Sequence, residues 1–319
     1  MKFGVIGYGS IGQRHVRNLI SLGYEEIVLL RKIGSRNDYD LEEFTEIEIF
    51  LDAQPDAVII TNPTSLHAEY LTRIISQNLD VLVEKPLVAT LEEWQSLQDQ
   101  LLNYTGIGMA AYNMRFHTCV CETHQILNSN ELGKIYSARF FVGQYLPDWR
   151  YGTDYSKSYS GRTEMGGGVL LDLIHEIDLA CFLVGEPADQ VDALVDRMSD
   201  LKIETEDIAE LLYRSDQNCL VSVHLDYLSR GYQRYIEIVG ERGSLRADLY
   251  SNKVTTTSES GEAKEKLFSE FSRNDMYLDM LSGFITFLQK KNASPISLQE
   301  GLISNRLAID IRNEYYGNA

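Results

Sequence analysis

The amino-acid sequence predicts an α/β chain of two domains. The first is an N-terminal domain with a parallel sheet. The second is an α+β domain built on a large, mostly antiparallel open sheet. Two patterns predict this. Up to about Phe116, short apolar runs alternate with amphipathic stretches, as in strand–helix–strand units. From Val191 to about Thr257, strand-like runs follow one another with only short turns between them, the habit of an antiparallel sheet. A length of 319 residues and a hydrophobic content of 44% suit two cores. The expected division is 1–117 and 118–319.

In the first domain, Phe3–Ile6, Ile27–Leu30, Ala57–Thr61, Val81–Glu84 and Ile107–Ala111 read as buried strands, being short and continuously apolar. Gly12–Leu22, Thr64–Gln77 and Thr90–Asn103 have helical spacing; Leu66, Tyr70, Leu71 and Ile74 share one face of the second. Right-handed crossovers then cover both faces of the sheet with helices. After Phe116, a helix over Thr118–Asn128 ends near Gly133 and a long strand spans Lys134–Gln144. An aromatic and charged loop follows, then Gly166-Gly167-Gly168, which opens one helix over Val169–Val184 closed by Gly185 and Pro187. Strands are expected at Val191–Arg197, Ile208–Arg214, Cys219–Tyr227, Gln233–Val239 and Gly243–Leu249. Ser258–Lys266 is polar and reads as a loop, and helices near Tyr277–Lys291 and Leu298–Asn313 end the sequence.

A formal net charge of −18 with no long basic tract argues against nucleic acid and anionic membrane surfaces as partners. It leaves a small anionic ligand open, because a few local cations outweigh the global field. Cys119, Cys121, Cys181 and Cys219 form no disulfide framework in a chain this long, and the isolated C-x-C lacks a matching Cys/His pair. They read as buried or incidental thiols, and no metal site is expected. No apolar run approaches the roughly 20 residues that cross a bilayer. The N-terminus enters a strand and turn directly, so a cytoplasmic location is expected.

Gly7-Tyr8-Gly9-Ser10-Ile11-Gly12 joins the first strand to the first helix. In that position G-x-G-x-x-G is the fingerprint of a Rossmann dinucleotide-binding domain. The first glycine permits the turn, the second admits a pyrophosphate, and the third lets helix and strand pack closely. Helix-terminal N–H groups hold the phosphates. About twenty residues on, where NAD enzymes place a carboxylate for the ribose, stand Arg31 and Lys32, with Ser35 and Arg36 close behind. A guanidinium suits a 2′-phosphate. NADP is therefore the preferred cofactor, with NAD possible if Arg31 only stacks on adenine.

Ligands of open α/β sheets bind at the carboxyl ends of the strands. Thr61-Asn62-Pro63 and Glu84-Lys85-Pro86 lie at two such ends. Partial burial and an adjacent oxidised nicotinamide would both favour the neutral form of Lys85 and make it a proton-transfer group. By itself, such a lysine is more often a solvated strand-end residue. Asp172 and His175, three apart on the expected helix, share a face and form either a general acid/base pair or an interior structural pair. The loop Pro147–Arg162 carries Trp149, Arg150, Tyr151, Tyr155, Lys157, Tyr159 and Arg162. Aromatics beside cations suit a sugar ring bearing a carboxylate or diphosphate; a solvated or subunit-contact loop is the alternative.

Together, GYGSIG, TNPTSLHAEYL, VLVEKPLVATLEE, YNMRF and GGGVLLDLIHEIDL, in this order over about the first 185 residues, resemble the Gfo/Idh/MocA oxidoreductases. The resemblance implies a catalytic role for Lys85 of the EKP segment, and for Asp172 and His175. It places Asn62, Pro63, His67, Glu84 and Asn113 with the cofactor. With the loop residues Trp149, Arg150, Tyr155 and Arg162, the residues Lys85, Arg115, Asp172 and His175 are candidates for the substrate. The resemblance implies hydride transfer between nicotinamide and a hydroxyl or keto group of a sugar, sugar acid or nucleotide sugar. Two other functions stay open: a non-catalytic sugar or dinucleotide sensor, and a reductase of a non-sugar substrate. The resemblance further implies homo-oligomers, dimers or tetramers, formed through the second domain's sheet. One departure stands out. Many members space the Asp and His by four residues, and here the spacing is three. One residue turns the imidazole by about 100° around a helix. Either the local helix geometry compensates, or the two residues divide proton transfer differently.

Overall fold

Five short apolar strands and one polar edge strand build the first sheet. They are β1 (Phe3–Ile6), β2 (Ile27–Leu30), β3 (Glu42–Phe44), β4 (Ala57–Ile60), β5 (Asp80–Val83) and β6 (Gly108–Ala110), in the order β3-β2-β1-β4-β5-β6. Every pairing is parallel. This is the doubly wound order in which ligands bind where the strand sequence reverses, beside β1 and β4. β1, β2 and β4 are buried along their whole length, as expected for a sheet covered on both faces. The helices are α1 (Ser10–Ser21), α2 (Ile47–Asp52), α3 (His67–Ser76) and α4 (Leu91–Leu101), the last opened by a Thr90–Glu93 capping box. The sequence expectation lacked β3 and α2. β3 reads Glu-Glu-Phe and α2 has six residues, both too short or too polar to show a period.

The structure is a computed structural model that describes residues 1–32, 37–149, 152, 154–291, 294 and 296–317. Ser35, Arg36, Arg150 and Tyr151 fall outside the described residues. The chain divides into two compact units: Met1–Tyr112 with Tyr277–Ile303, and Asn113–Met276 with Ser304–Ala319. The segment Tyr277–Ile303, expected in the second domain, thus packs with the first. There Trp94 Nε1 donates to Leu302 O at 3.0 Å, and Tyr112 O–H donates to Gly301 O at 3.2 Å.

The second unit is organised by eight strands: β7 (Ile135–Gly143), β8 (Asp192–Asp196), β9 (Ile208–Arg214), β10 (Leu220–Asp226), β11 (Gln233–Gly240), β12 (Gly243–Asp248), β13 (Lys253–Ser258) and β14 (Ala263–Leu267). Their order is β14-β13-β12-β11-β7-β10-β9-β8, and only β7 and β10 run parallel. One face is covered by α5 (Thr118–Asn128), α6 (Val169–Asp172) and α7 (His175–Val184). The alternating burial of β9, with Ala209, Leu211 and Tyr213 inward and Glu210, Leu212 and Arg214 outward, shows that the other face is open. α8 (Asp275–Lys290) and α9 (Leu298–Gly317) complete the chain. Among the described residues no helix is long and apolar enough to cross a membrane.

Two sequence expectations need correction. Ser258–Lys266 is a loop only in its middle: residues 259–262 form the turn, and Ala263–Leu267 forms β14 and pairs with β13 to extend the sheet edge. Every residue of β14 is exposed, so backbone pairing, which polarity conceals, makes the strand. The helix expected over Val169–Val184 is two helices separated by Leu173 and Ile174, with Leu173 at φ −97°, ψ 24°. No Gly or Pro marks this break. Leu173 and Ile174 are both buried while Asp172 is tethered to hydroxyls elsewhere in the unit, and these tertiary demands outweigh the helical ladder.

His117 caps α5: its Nδ1 accepts the Cys119 N–H at 3.2 Å, and its ring packs on Phe271 at 4.5 Å. Burial, followed by the charge of Arg234, pushes its pKa down to about 4. The folded chain therefore binds fewer protons here than the unfolded chain. Stability is whole above the unfolded value near 6.5 and is lost as the pH falls toward 4, by on the order of 3 kcal/mol. Urea unfolding of wild type and His117→Asn across this window should show a shallower pH dependence for the variant, which keeps an acceptor but does not titrate. Parallel curves would exclude His117 as a source of the acid sensitivity.

Candidate active site

The glycine loop is shaped by close approach. A side-chain carbon on Gly12 would stand 2.2 Å from Gly7 O and 2.7 Å from Thr61 Oγ1. Only glycine therefore lets α1 rest against β1 and β4. Thr61 locks the same contact by donating its hydroxyl to Ile6 O and Gly7 O, each at 3.0 Å. A carbon added to Gly9 would meet nothing within 4 Å. Gly9 also caps α1 without a side-chain bond, so the first N–H groups of the helix face open space. Nearby, the buried Tyr8 hydroxyl and both polar atoms of the Asn62 amide have no partner among the described residues. An open cradle at a helix N-terminus, with unbonded polar atoms beside it, fits the pyrophosphate and polar groups of a dinucleotide.

At the end of β2, Arg31 is committed. Its Nε donates to Glu43 Oε2 and its Nη2 to Glu43 Oε1, both at 2.8 Å, and its guanidinium lies 5.1 Å from the Tyr8 ring centroid. Lys32 is exposed. The sequence expectation had Arg31 open to a 2′-phosphate; a bidentate carboxylate from the neighbouring strand already occupies that fork.

Lys85 follows β5 and is half-buried. Its backbone is anchored on both sides. Before it, Glu84 Oε1 lies 2.9 Å from Nε2 of the fully buried His15 on α1. After it, Pro86 O faces His67 Nδ1 at 2.8 Å, and His67 Nε2 faces Asn62 O at the same distance. His67 is buried, and burial lowers its pKa. It thus acts as a brace between the segments carrying Asn62 and Lys85, with no direct contact to a ligand required. Pro63 is exposed and Thr61 half-buried at the same end of the sheet.

In the second unit, Asp172 Oδ2 accepts the hydroxyls of Ser160 at 2.6 Å and Tyr227 at 3.1 Å. Tyr227 is fully buried, and burial raises its pKa well above the usual tyrosine range. The hydroxyl is therefore a permanent donor. His175 begins α7 and is buried. The pair does not sit on one continuous helix face: the break at Leu173–Ile174 intervenes. Local geometry thus absorbs the three-residue spacing. Gly168, at φ 104°, brings the chain against Glu206, whose carboxylate lies 2.1 Å from where a side-chain carbon would be. Glu206 accepts from Leu170 N at 3.2 Å and from the Tyr316 hydroxyl at 2.8 Å, fixing the start of α6.

Models of two domains match consecutive parts of the chain. One, described as an oxidoreductase family with an NAD-binding Rossmann fold, covers residues 1–107. The other, the GFO/IDH/MocA C-terminal domain, covers residues 120–246. The chain belongs to the Gfo/Idh/MocA family of oxidoreductases. The myo-inositol 2-dehydrogenase of Thermotoga maritima is 26% identical to it, over 94% of this chain and 92% of its own. The inositol 2-dehydrogenase of Salmonella typhimurium is 23% identical over 76% and 72%. Among solved structures, levoglucosan dehydrogenase in complex with NADH and levoglucosan superposes with a TM-score of 0.86 at 18% identity, covering 100% of this chain and 97% of that one. The UDP-N-acetylglucosamine 3-dehydrogenase of Acidithiobacillus ferrooxidans gives 0.78 at 18% identity, over 98% and 96%.

Other residues expected at the site of this Gfo/Idh/MocA chain are placed as follows. Arg115 is buried, with Nε and Nη2 donating to Asp178 at 2.9 and 2.7 Å and its guanidinium 4.6 Å from the Phe182 ring centroid. The guanidinium expected at the substrate thus places these two donors on Asp178 inside the unit. Asn113 is buried and its carbonyl oxygen has no partner among the described residues. Trp149 donates its indole N–H to Gln144 O at 3.0 Å and packs edge-on against Tyr227. The Tyr155 hydroxyl accepts from Lys202 N at 3.3 Å, and Arg162 pairs with Glu204 at 2.7 Å. Arg162 lines an open pocket of about 510 Å³ with Arg197, Asp200 and Lys202. Sequence reasoning missed Glu43, His15, Ser160 and Tyr227. None sits within a motif, and the last two meet Asp172 across 12 and 55 residues of chain.

Proposed function

We propose that this oxidoreductase interconverts a hydroxyl and a keto group on a sugar, polyol, sugar acid or nucleotide sugar, using a nicotinamide dinucleotide held by Gly7–Gly12, Thr61 and Asn62. When bound, the dinucleotide supplies the hydride acceptor at nicotinamide C4. Lys85 or His175 takes the hydroxyl proton as the carbinol C–H bond breaks and the carbonyl forms, and Asp172 orients the base. The observation that carries the proposal is the Asp172 carboxylate, held by two hydroxyls, three residues before a buried His and in a chain that also carries an anchored Glu84-Lys85-Pro86 tip. Inositol and sugar dehydrogenases among the relatives support a polyhydroxylated substrate. A preference for NADP over NAD depends on how much of the Arg31 charge remains after Glu43.

Self-association through the open face of the eight-stranded sheet belongs to the same reading. Leu194, Leu212, Leu220 and Val239 are exposed there, and Phe141 stacks between His224 and Tyr235 at 4.4 and 4.9 Å. That is more apolar and aromatic surface than a lone sheet face ordinarily leaves to water.

The test of function is a panel of inositols, sugars, sugar acids and nucleotide sugars with each oxidised cofactor, reading reduced-nicotinamide absorbance. Hits would be repeated with substrate deuterated at the reacting carbon. Absorbance with at least one polyol, and deuterium in the reduced cofactor, are expected. Tight dinucleotide binding without reduction by any member of the panel would sink the enzyme reading in favour of a sensor or a non-sugar reductase.

A further inference from the structure

We infer that Glu43 sets the choice of cofactor: by occupying Arg31 it turns a basic ribose-end position into one that favours a free 2′-hydroxyl over a 2′-phosphate. This rests on the dinucleotide reading of the first unit. β3 lies beside β2 in parallel register, with Leu29 opposite Glu43 and Leu30 opposite Phe44. The Arg31 N–H continues that ladder to Phe44 O at 2.9 Å. Arg31 and Glu43 therefore meet where the two strands deliver them, beside the glycine loop whose Tyr8 ring Arg31 covers.

The pair is built into the fold. Asn37, 6% exposed, donates its amide to Glu43 Oε1 and to Leu41 O, and its own oxygen accepts the N–H groups of Leu41 and Tyr39 at 2.8 and 3.2 Å. The Glu43 carboxylate thus has three donors: two from Arg31 and one from a residue that is itself fixed. The hydrogen bond from Arg31 holds its pKa below the usual carboxylate range, against the opposing effect of burial. The Arg31 side chain is 12% exposed and that of Glu43 31%, so the carboxylate is the more accessible partner.

A 2′-phosphate brings a charge of about −1.5 to −2. To use Arg31 it must displace or crowd a carboxylate that already satisfies two of the guanidinium's donors, and like charges at that range repel. A ribose hydroxyl meets no such obstacle and can donate to a carboxylate oxygen. The rule that a basic residue at this position signals NADP is thereby overturned by a residue twelve positions further along the chain.

Calorimetric titration of the full chain with NAD⁺ and NADP⁺ tests this without recourse to turnover. Wild type should bind NAD⁺ at least tenfold more tightly. Glu43→Gln should move the ratio at least tenfold toward NADP⁺, and adding Arg31→Ala to it should cancel that gain. Should Glu43→Gln fail to give a cooperative melt, Arg31→Ala alone decides the matter: an unchanged ratio supports the inference, and selective loss of NADP⁺ binding overturns it. A wild type preferring NADP⁺, or a Glu43→Gln ratio equal to that of wild type, overturns the inference and leaves the dinucleotide site standing. Binding of neither cofactor by wild type removes the site itself.

Discussion

Lys85→Ala is expected to lower kcat by about 10²–10⁴-fold, the usual worth of a positioned proton-transfer group, while the dinucleotide dissociation constant changes less than threefold. The split follows from the anchoring of the segment. Glu84 is tied to His15 on α1 and Pro86 O faces His67, so truncating the side chain between them leaves the backbone in place. The glycine loop makes its own contacts to Thr61 and does not depend on Lys85. Single-turnover reduction followed in a stopped-flow instrument, with cofactor titration of the same protein, gives both numbers. Turnover above a tenth of wild type would remove Lys85 from the chemistry; loss of cofactor affinity in step with kcat would make it a binding residue instead.

The second large effect is on stability. Arg115→Ala should destabilise the chain by about 3–5 kcal/mol, because it leaves a buried carboxylate without its cation. Asp178 is fully buried, and a 3.4 Å hydrogen bond from the Ser304 hydroxyl is a weak substitute for two charge-assisted bonds. The melting temperature should fall by on the order of 10 °C. Replacing both partners with apolar residues, Arg115→Met with Asp178→Leu, should recover most of the loss, since a buried pair gains little net energy over a packed apolar one. The measurement is a denaturant melt of the two single variants and the double. An Arg115→Ala protein of unchanged stability and raised KM would restore Arg115 to the substrate.

These two expectations depend on the sequence to different degrees. Lys85 was legible as a candidate because a strand end, a glycine fingerprint and an EKP segment stand in a fixed order along the chain. For Arg115, the segment YNMRF names the residue and says nothing of what its side chain pairs with; Asp178, its partner, lies 63 positions away. The same limit explains Arg31. Its identity pointed to a 2′-phosphate, and the carboxylate that occupies it belongs to β3, an edge strand too short and polar to announce itself.

By itself the sequence determined most of the element types, the parallel first sheet, the mostly antiparallel second and the position of the glycine loop. Each of these follows from local periodicity or from a conformation that only particular residues adopt. Tertiary structure alone decided which unit takes residues 277–303, where the helix before His175 breaks, and which side chains hold Asp172, Lys85 and Arg31 in place. Those outcomes rest on hydrogen bonds and ion pairs between residues far apart in the chain. No window of sequence contains both partners, and burial makes leaving either one unsatisfied cost more than the local preference being overruled.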